Sequence, residues 1–265
     1  ALCAFYHKIP VGHVEAGLRT YNMMSPYPEE FNRQSIDMIS ELLFAPTKYA
    51  KKILISEKKN INKIFVTGNT VIDALKTTVR KDYTNSDIEW CGKNRIILLT
   101  AHRRENIGKP MENIFEAVSK IVNDFPNVKV IYPVHKNPNV REIAYKYFEK
   151  NKNIRMIEPM DAVNFHNVMN KSYLILTDSG GVQEEAPSLG KPVLVLRDIT
   201  ERPEGVKAGT LKVIGTKPED VYAEIKRLLV NKKEYLRMSK SVNPYGDGNA
   251  SKRIVDIIEN YFREK

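Results

Sequence analysis

LILTDSGGVQEEAP, residues 174–187, joins a short apolar run to two glycines and two adjacent acids. The run 174–177 is typical of a buried strand, and the glycines lead into a helix predicted over residues 182–189. A strand followed at once by a helix is the repeating unit of a parallel α/β sheet, in which ligands bind at the carboxyl ends of the strands. The stretch therefore predicts both a fold and a place for a ligand.

The turn at Ser179, Gly180 and Gly181 favours an anion, because glycine lacks a Cβ and the first amides of a helix have no intrahelical acceptor. Glu185 shares the helix face of Gly181, and helical side chains lean toward the N-terminus. A ribose carrying phosphates would use both the acid and the amides. Glu184 is rotated by about 100° and is expected to cap the helix or face solvent. A plain tight turn before an acidic helix is equally compatible with this spacing.

Apolar runs alternate with amphipathic stretches along the whole chain, which predicts a parallel α/β fold. The predicted strands cover residues 11–15, 42–45, 64–67, 95–100, 128–133, 154–157, 174–177, 193–196 and 211–214. The predicted helices cover residues 29–39, 48–57, 71–79, 111–124, 139–150, 161–170, 182–189, 218–229 and 250–265.

The polar segment 81–94 interrupts this alternation and is interpreted as a linker. Six strands follow it within residues 95–248, the count of a complete Rossmann-like domain. Only three precede it within residues 1–80, too few for a complete sheet. We therefore expect that the chain begins partway through its first domain. Residues 249–265 are expected to form a C-terminal helix that packs back on that domain.

The composition is that of an ordinary globular protein, with 42% hydrophobic and 28% charged residues among 265. The net charge is +10, but the lysines are spread along the chain, which favours a solvated basic surface over a nucleic-acid or membrane site. No apolar run is long enough to cross a membrane. Cys3 and Cys91 have no CxxC or histidine-rich neighbourhood, so no disulfide framework or metal site is predicted and a cytoplasmic location is expected.

A second polar cluster, TAHRREN (residues 100–106), follows the strand 95–100. One histidine and two arginines (His102, Arg103 and Arg104) at a strand's carboxyl end suit a pyrophosphate. A local ion pair between Arg103 and Glu105 is the alternative. His135 also follows a strand and is equally compatible with a satisfied turn histidine. Arg202 either closes over an anion or pairs with a neighbouring acid in solvent.

Two acidic positions in the first domain are candidates for general acid or base chemistry. Glu15 follows the strand 11–15 within GHVEAGLRT, at the edge where ligands bind. Glu29 and Glu30 begin a helix, where the dipole favours acids without any catalytic role.

GHVEAGLRT, PEEFNR, TAHRRENIG, DSGGVQEEAPSLGKPVLVLRDITERPE and GTLKVIG together resemble the non-hydrolysing UDP-N-acetylglucosamine 2-epimerases over essentially the whole chain. The resemblance implies two Rossmann-like domains facing a cleft, the GT-B architecture, with the first domain incomplete here. It also implies reversible conversion of UDP-GlcNAc to UDP-ManNAc for cell-surface polysaccharide synthesis, by UDP elimination to 2-acetamidoglucal and re-addition. No cofactor, metal, nucleic acid or membrane is implied, and a homodimer is expected.

Site residues carry over from the resemblance one by one. The UDP-binding positions are Met160, Phe165, Ser179, Gly180, Gly181, Glu185 and Arg202. The catalytic positions are Glu15, Glu29 and His102, and a regulatory UDP-GlcNAc site would use Arg103 and His135. Met160 stands where some members carry glutamine near the base. The family's catalytic Asp and its N-terminal Arg and Lys fall before Ala1, so the chain as given is expected to be incompletely equipped for turnover.

Three other functions stay open at this point. A GT-B glycosyltransferase uses the same nucleotide-side features but needs an acceptor. A hydrolysing UDP-GlcNAc 2-epimerase would release free ManNAc and UDP. A protein that only binds nucleotide sugars is the third.

Overall fold

The strands of this computed structural model, which describes residues 1–24 and 27–264, form two parallel sheets. They belong to two units: the first unit comprises residues 1–76 and 244–265, and the second unit comprises residues 77–243. The strands are β1 Gly12–Val14, β2 Leu42–Ala45, β3 Ile64–Val66, β4 Arg95–Thr100, β5 Val128–Pro133, β6 Ile154–Ile157, β7 Leu174–Thr177, β8 Val193–Val195 and β9 Leu211–Val213. The predicted α/β class is confirmed.

The helices fill the intervals between the strands. They are α1 Leu2–Tyr6, α2 Glu29–Ile39, α3 Lys48–Ser56, α4 Thr70–Thr78, α5 Ser86–Cys91, α6 Lys109–Asp124, α7 Pro138–Phe148, α8 Ala162–Lys171, α9 Gly180–Ser188, α10 Pro203–Ala208, α11 Pro218–Val230, α12 Lys232–Ser239 and α13 Ala250–Arg263. Short 3₁₀ turns cover Ile61–Lys63 and Arg104–Asn106. None of the helices in the described ranges is long and apolar enough to span a membrane.

The six-stranded sheet of the second unit has the order β6-β5-β4-β7-β8-β9, with every neighbouring pair parallel. β4 and β7 lie side by side at its centre, and the chain leaves them toward opposite edges. Their carboxyl ends flank a topological switch point, where loops diverge and leave a crevice for a ligand. This topology brings residues 100–106 next to residues 177–181.

Apolar side chains on both faces of this sheet bury its central strands β4, β7 and β8 almost completely. On one face the strands pack against α6, α7 and α11, through large residues such as Phe115, Tyr132 and Phe148. On the other face they pack against α8 and α9. A strand with helices on both sides needs no polar alternation, which is why β4 and β7 are almost wholly apolar.

The three-stranded sheet of the first unit has the order β1-β2-β3 and is also parallel. On one face, Leu43 and Ala45 of β2 belong to a core with Leu54 of α3. On the other face, Leu42 and Phe44 pack against Ile254 of α13. The C-terminal helix is thus part of the first unit.

Each predicted strand is present within one residue at either end. The helices α1, α5, α10 and α12 were not predicted, and α5 falls in the segment interpreted as a linker, residues 81–94. There the Asn85 side chain caps the helix by accepting from the amides of Asp87 and Ile88. Lys265, the last residue of the predicted C-terminal helix, lies outside the described residues.

Candidate functional site

Asp178 organises the switch point of the second unit, because it joins the loop after β4 to the loop after β7. Its side chain is fully buried, and Oδ2 accepts from the amides of His102 and Arg103, both at 2.8 Å, and from Nδ2 of Asn106 at 3.1 Å. Its own amide donates to the carbonyl of Thr100. A buried carboxylate with three donors fixes the two loops relative to each other.

A pocket of about 430 Å³ opens beside these loops, at the carboxyl ends of β4 to β7. It is lined by Thr100, His102, Pro133, His135, Pro159, Met160, Ala162, Phe165, His166, Ser179, Gly181, Val182 and Glu185. Seven of the predicted site residues therefore meet in one pocket, whereas Gly180, Arg202 and Arg103 do not line it. The aromatic and aliphatic lining near Phe165 and the polar lining near Ser179 suit a ligand with a flat ring at one end and charge at the other.

The glycine turn presents backbone donors to this pocket. Ser179 precedes the first turn of α9 in an extended conformation, and its amide donates to the Thr177 hydroxyl at 2.9 Å. Gly180 and Gly181 open the helix, so their amides are among those without an intrahelical acceptor. A Cβ on Gly180 would lie 3.1 Å from the Arg202 guanidinium, whereas, among the residues that the structure describes, one on Gly181 would meet only the Glu185 carboxylate, at 3.8 Å. The second glycine thus keeps the path to the helix amides open.

Glu185 lies one helical turn beyond Gly181, on the same face, as the sequence predicted. Its carboxylate is 12% exposed, and Oε2 lies 3.7 Å from Nε2 of His166. The Nδ1 atom of that histidine is hydrogen bonded to the Thr78 hydroxyl at 2.8 Å. The ring of His166 therefore lies beside the Glu185 carboxylate at the wall of the pocket.

Glu184 and Arg202 form a buried ion pair instead of facing solvent, which corrects the expectation for Glu184. Nε of Arg202 donates to Oε1 of Glu184 at 2.7 Å, and Nη1 lies 2.7 Å from Glu201. Burial would raise the pKa of Glu201, but the guanidinium groups of Arg202 and Arg197 outweigh it and hold that pKa below its ordinary value. The two acids thus hold the guanidinium against Gly180, behind the glycine turn.

His102 and His135 lie together at the other end of the pocket. Their rings are stacked with centroids 5.5 Å apart. Burial lowers the pKa of His102 below its usual value; His135 and Arg103 act in the same direction, and Asp178 opposes them. The Arg103 side chain lies against other groups, with Nε donating to the carbonyl of Asp178 and Nη2 3.9 Å from Glu201. The structure thus separates the Arg103 guanidinium from the pocket that His135 lines.

The first unit places Glu15 immediately after β1, half-buried and in the left-handed backbone region with φ +67°. This conformation is uncommon for a non-glycine residue. Asp37, fully buried in α2, holds the chain on both sides of Glu15. It contacts Nδ1 of His13 at 2.5 Å before the turn, and it accepts from Gly17 and Arg19 after it.

Glu29 and Glu30 have different environments at the start of α2. Glu29 is exposed, whereas Glu30 is fully buried and accepts from the amides of Thr20 and Tyr21, both at 3.0 Å. Burial would raise the pKa of Glu30, but its hydrogen bonds to Gln34 and to the two amides outweigh it and lower the pKa. Glu30 therefore holds the loop before α2, and Glu29 is the acid that remains accessible.

Sequence reasoning missed three residues on which these sites depend: Asp178, His166 and Asp37. Each is buried, and each acts through partners far away in the chain. Asp178 carried a partial signal, since an acid directly after a buried strand needs donors from a neighbouring loop. His166 and Asp37 sit inside helices, where nothing in the sequence separates them from surface positions.

No cluster of three or more potential metal ligands occurs within residues 1–24 and 27–264.

Comparison with known proteins gives consistent matches over both units. The family model for UDP-N-acetylglucosamine 2-epimerase matches residues 1–259. The UDP-N-acetylglucosamine 2-epimerase of Bacillus subtilis (strain 168) is 60% identical over 258 residues, which are 97% of this chain and 68% of that protein.

Solved structures give the same result. An S. aureus MnaA–UDP co-structure matches with a TM-score of 0.97 and 55% identity, over 99% of this chain and 72% of that one. The UDP-GlcNAc 2-epimerase from Neisseria meningitidis, solved bound to UDP-GlcNAc, matches with a TM-score of 0.91 and 45% identity, over 98% and 72% of the two chains.

Proposed function

The chain belongs to the UDP-N-acetylglucosamine 2-epimerase family, as its motifs predicted, and on this premise we propose that it binds UDP in the pocket beside Ser179 and Glu185. The family's activity is the reversible 2-epimerisation of UDP-GlcNAc. The observation that carries the proposal is the pairing of free helix amides with a carboxylate one turn further along α9.

Each part of UDP finds a chemically suitable surface in this pocket. The uracil ring lies against Phe165 and Met160, which supply apolar contact area. The ribose hydroxyls donate to the Glu185 carboxylate. The diphosphate accepts from the amides that begin α9, where the helix dipole adds to the attraction. Arg202 contributes positive charge from behind Gly180, although its own hydrogen bonds are made to carboxylates.

The reaction that we propose begins by breaking the bond between C1 of the sugar and the diphosphate oxygen. The bonding electrons leave with UDP, a base takes the proton from C2, and a double bond forms between C1 and C2, which gives 2-acetamidoglucal. Re-addition of the diphosphate oxygen to C1, with a proton delivered to the opposite face of C2, gives UDP-ManNAc. The helix amides stabilise the charge that develops on the diphosphate, and His102 lines the same pocket.

Proton transfer at C2 is assigned to Glu15 and Glu29, following the family resemblance. In the full-length protein, Glu15→Gln keeps the size of the side chain and removes its basicity, so turnover falls while the affinity for UDP is unchanged. Glu29→Gln makes the same change at the other proposed catalytic acid, which is exposed.

Incubation of the full-length protein with UDP-GlcNAc in D₂O tests the function directly. We expect UDP-ManNAc with deuterium at C2, formed without any acceptor and detected by proton NMR. Release of free ManNAc with UDP would identify a hydrolysing epimerase. UDP release that depends on an added acceptor would identify a glycosyltransferase. Either outcome contradicts the proposal.

A homodimer and a cytoplasmic location complete the proposal. Sedimentation equilibrium tests the first, with a mass of twice the monomer expected. Cell fractionation tests the second, with the protein recovered in the cytoplasmic fraction. A concentration-independent monomer, or recovery outside the cytoplasm, would contradict the corresponding part.

A further inference from the structure

The two carboxylate oxygens of Asp178 have unequal surroundings. Oδ2 receives three donors, namely the amides of His102 and Arg103 and the side-chain amide of Asn106. Oδ1 is equally buried but has no hydrogen-bond partner within residues 1–24 and 27–264. Leaving a buried carboxylate oxygen unpaired is costly, so such an atom calls for an explanation.

The nearest titratable group to Oδ1 is the imidazole of His102. Nδ1 of His102 lies 3.4 Å from Oδ1, slightly beyond hydrogen-bond length. Contacts of this kind are often long in an unliganded site and shorten in the complex. The same two residues are already joined by the bond from the His102 amide to Oδ2, so the ring needs only a small rotation to donate its Nδ1 proton.

We propose that Asp178 is a positioning residue for His102, whose Nδ1 proton it accepts on Oδ1. A neutral imidazole carries one proton, and the group bonded to one nitrogen decides which nitrogen holds it. With Nδ1 protonated toward Asp178, Nε2 carries the lone pair and accepts from a donor of a ligand in the pocket that His102 lines. The inference rests on the proposed function and deepens it, because it assigns the hydrogen-bonding group that His102 offers to the nucleotide sugar.

The other charged groups around His102 do not supply this constraint. His135 stacks on the ring face, and its own Nδ1 accepts from the Asn137 amide. Arg103 offers only donors, and Glu105 acts on His102 less strongly than Asp178. Asp178 is therefore the group whose geometry and burial select the His102 tautomer.

The test is the tautomer of His102, read from imidazole ¹⁵N chemical shifts in two-dimensional proton–nitrogen spectra at about pH 8, where a histidine with an ordinary or lowered pKa is neutral. Protonated and unprotonated ring nitrogens resonate far apart, and His102→Gln assigns the signals. In the wild-type protein we expect the proton on Nδ1.

The substitution Asp178→Asn should reverse the tautomer of His102. The amide oxygen of Asn takes over the three donors at Oδ2, so its NH₂ group faces His102 and donates to Nδ1. The ring proton then moves to Nε2. Asn106→Ala is the matched control, because it removes one donor from Oδ2 but leaves Oδ1 beside His102, and its His102 signals should match those of the wild type.

The outcomes separate this inference from the proposed function. A wild-type His102 with an unprotonated Nδ1 overturns the inference even if Asp178→Asn does not fold. A folded Asp178→Asn protein that keeps the proton on Nδ1 also overturns it. Calorimetry with UDP on the same wild-type sample tests the function independently. Binding of UDP with the wrong tautomer rejects the inference alone, whereas absence of UDP binding rejects the proposed function.

Discussion

Replacing Glu185 by alanine removes the carboxylate that is proposed to bind the ribose. The side chain is only 12% exposed, so bulk water cannot fully take its place as an acceptor for the two hydroxyls. Hydrogen bonds to a charged group contribute about 1.5–3 kcal/mol each in favourable cases, and part of that is recovered by residual water. We therefore expect a total loss of about 1–3 kcal/mol, which is a rise in Kd for UDP of about 5- to 150-fold.

Isothermal titration calorimetry with two ligands makes this expectation specific. 2′-Deoxy-UDP lacks one of the two hydroxyls, so the wild type should bind it more weakly than UDP, while Glu185→Ala should discriminate much less between them. The difference is the coupling energy between the hydroxyl and the acid, expected to exceed about 0.5 kcal/mol. Glu158→Ala, an exposed acid paired with Arg141 in the same unit, is the control and should bind both ligands as the wild type does. Equal discrimination in wild type and Glu185→Ala would refute this location of the ribose.

Three further perturbations test the structure around the sites by denaturant unfolding. Gly17→Ala should cost about 1–3 kcal/mol more than Gly92→Ala, because both have positive φ but only the Gly17 Cβ would clash, 2.5 Å from a backbone oxygen; equal costs would contradict the packing described. Arg202→Ala should cost about 3–5 kcal/mol, since it breaks the buried ion pairs that Arg202 makes with Glu184 and Glu201, against at most about 1 kcal/mol for Arg237→Ala, whose ion pair is more exposed; similar small losses would refute the buried pair. Because the pKa of Glu30 is lowered in the folded protein, its contribution to the free energy of unfolding is full above its ordinary pKa of 4.5 and is lost as the pH falls through the folded value. Glu30→Gln should therefore lose less stability than the wild type as the pH falls, and an equal loss would contradict this assignment.

The fold could be predicted because its signals are local. Apolar strands such as β4 and β7 need no partner to be recognised, and a positive turn signal such as Gly180–Gly181 marks where the next helix begins. The short helices α5 and α10 were missed because each has about one and a half turns, too few for a periodic pattern. The α5 segment reads as a polar linker, yet Cys91 at its end is buried in the core of the second unit.

The site was predictable at its exposed surface but not in its buried supports. The pocket does bring together Glu185, Ser179 and Phe165, which local spacing and family resemblance had indicated. The predicted environment of Glu184 was wrong, because its pairing with Arg202 joins positions 18 residues apart across a loop. The role of Asp178 depends on donors more than 70 residues earlier in the chain. Such pairings follow from the strand order, which the sequence alone does not specify.

A crystal soaked with UDP tests the central claim most directly. The account predicts ribose hydroxyls within hydrogen-bond distance of the Glu185 carboxylate and diphosphate oxygens on the amides that begin α9, beside Ser179. Density for UDP elsewhere on the second unit, or with the diphosphate turned away from α9, would contradict it.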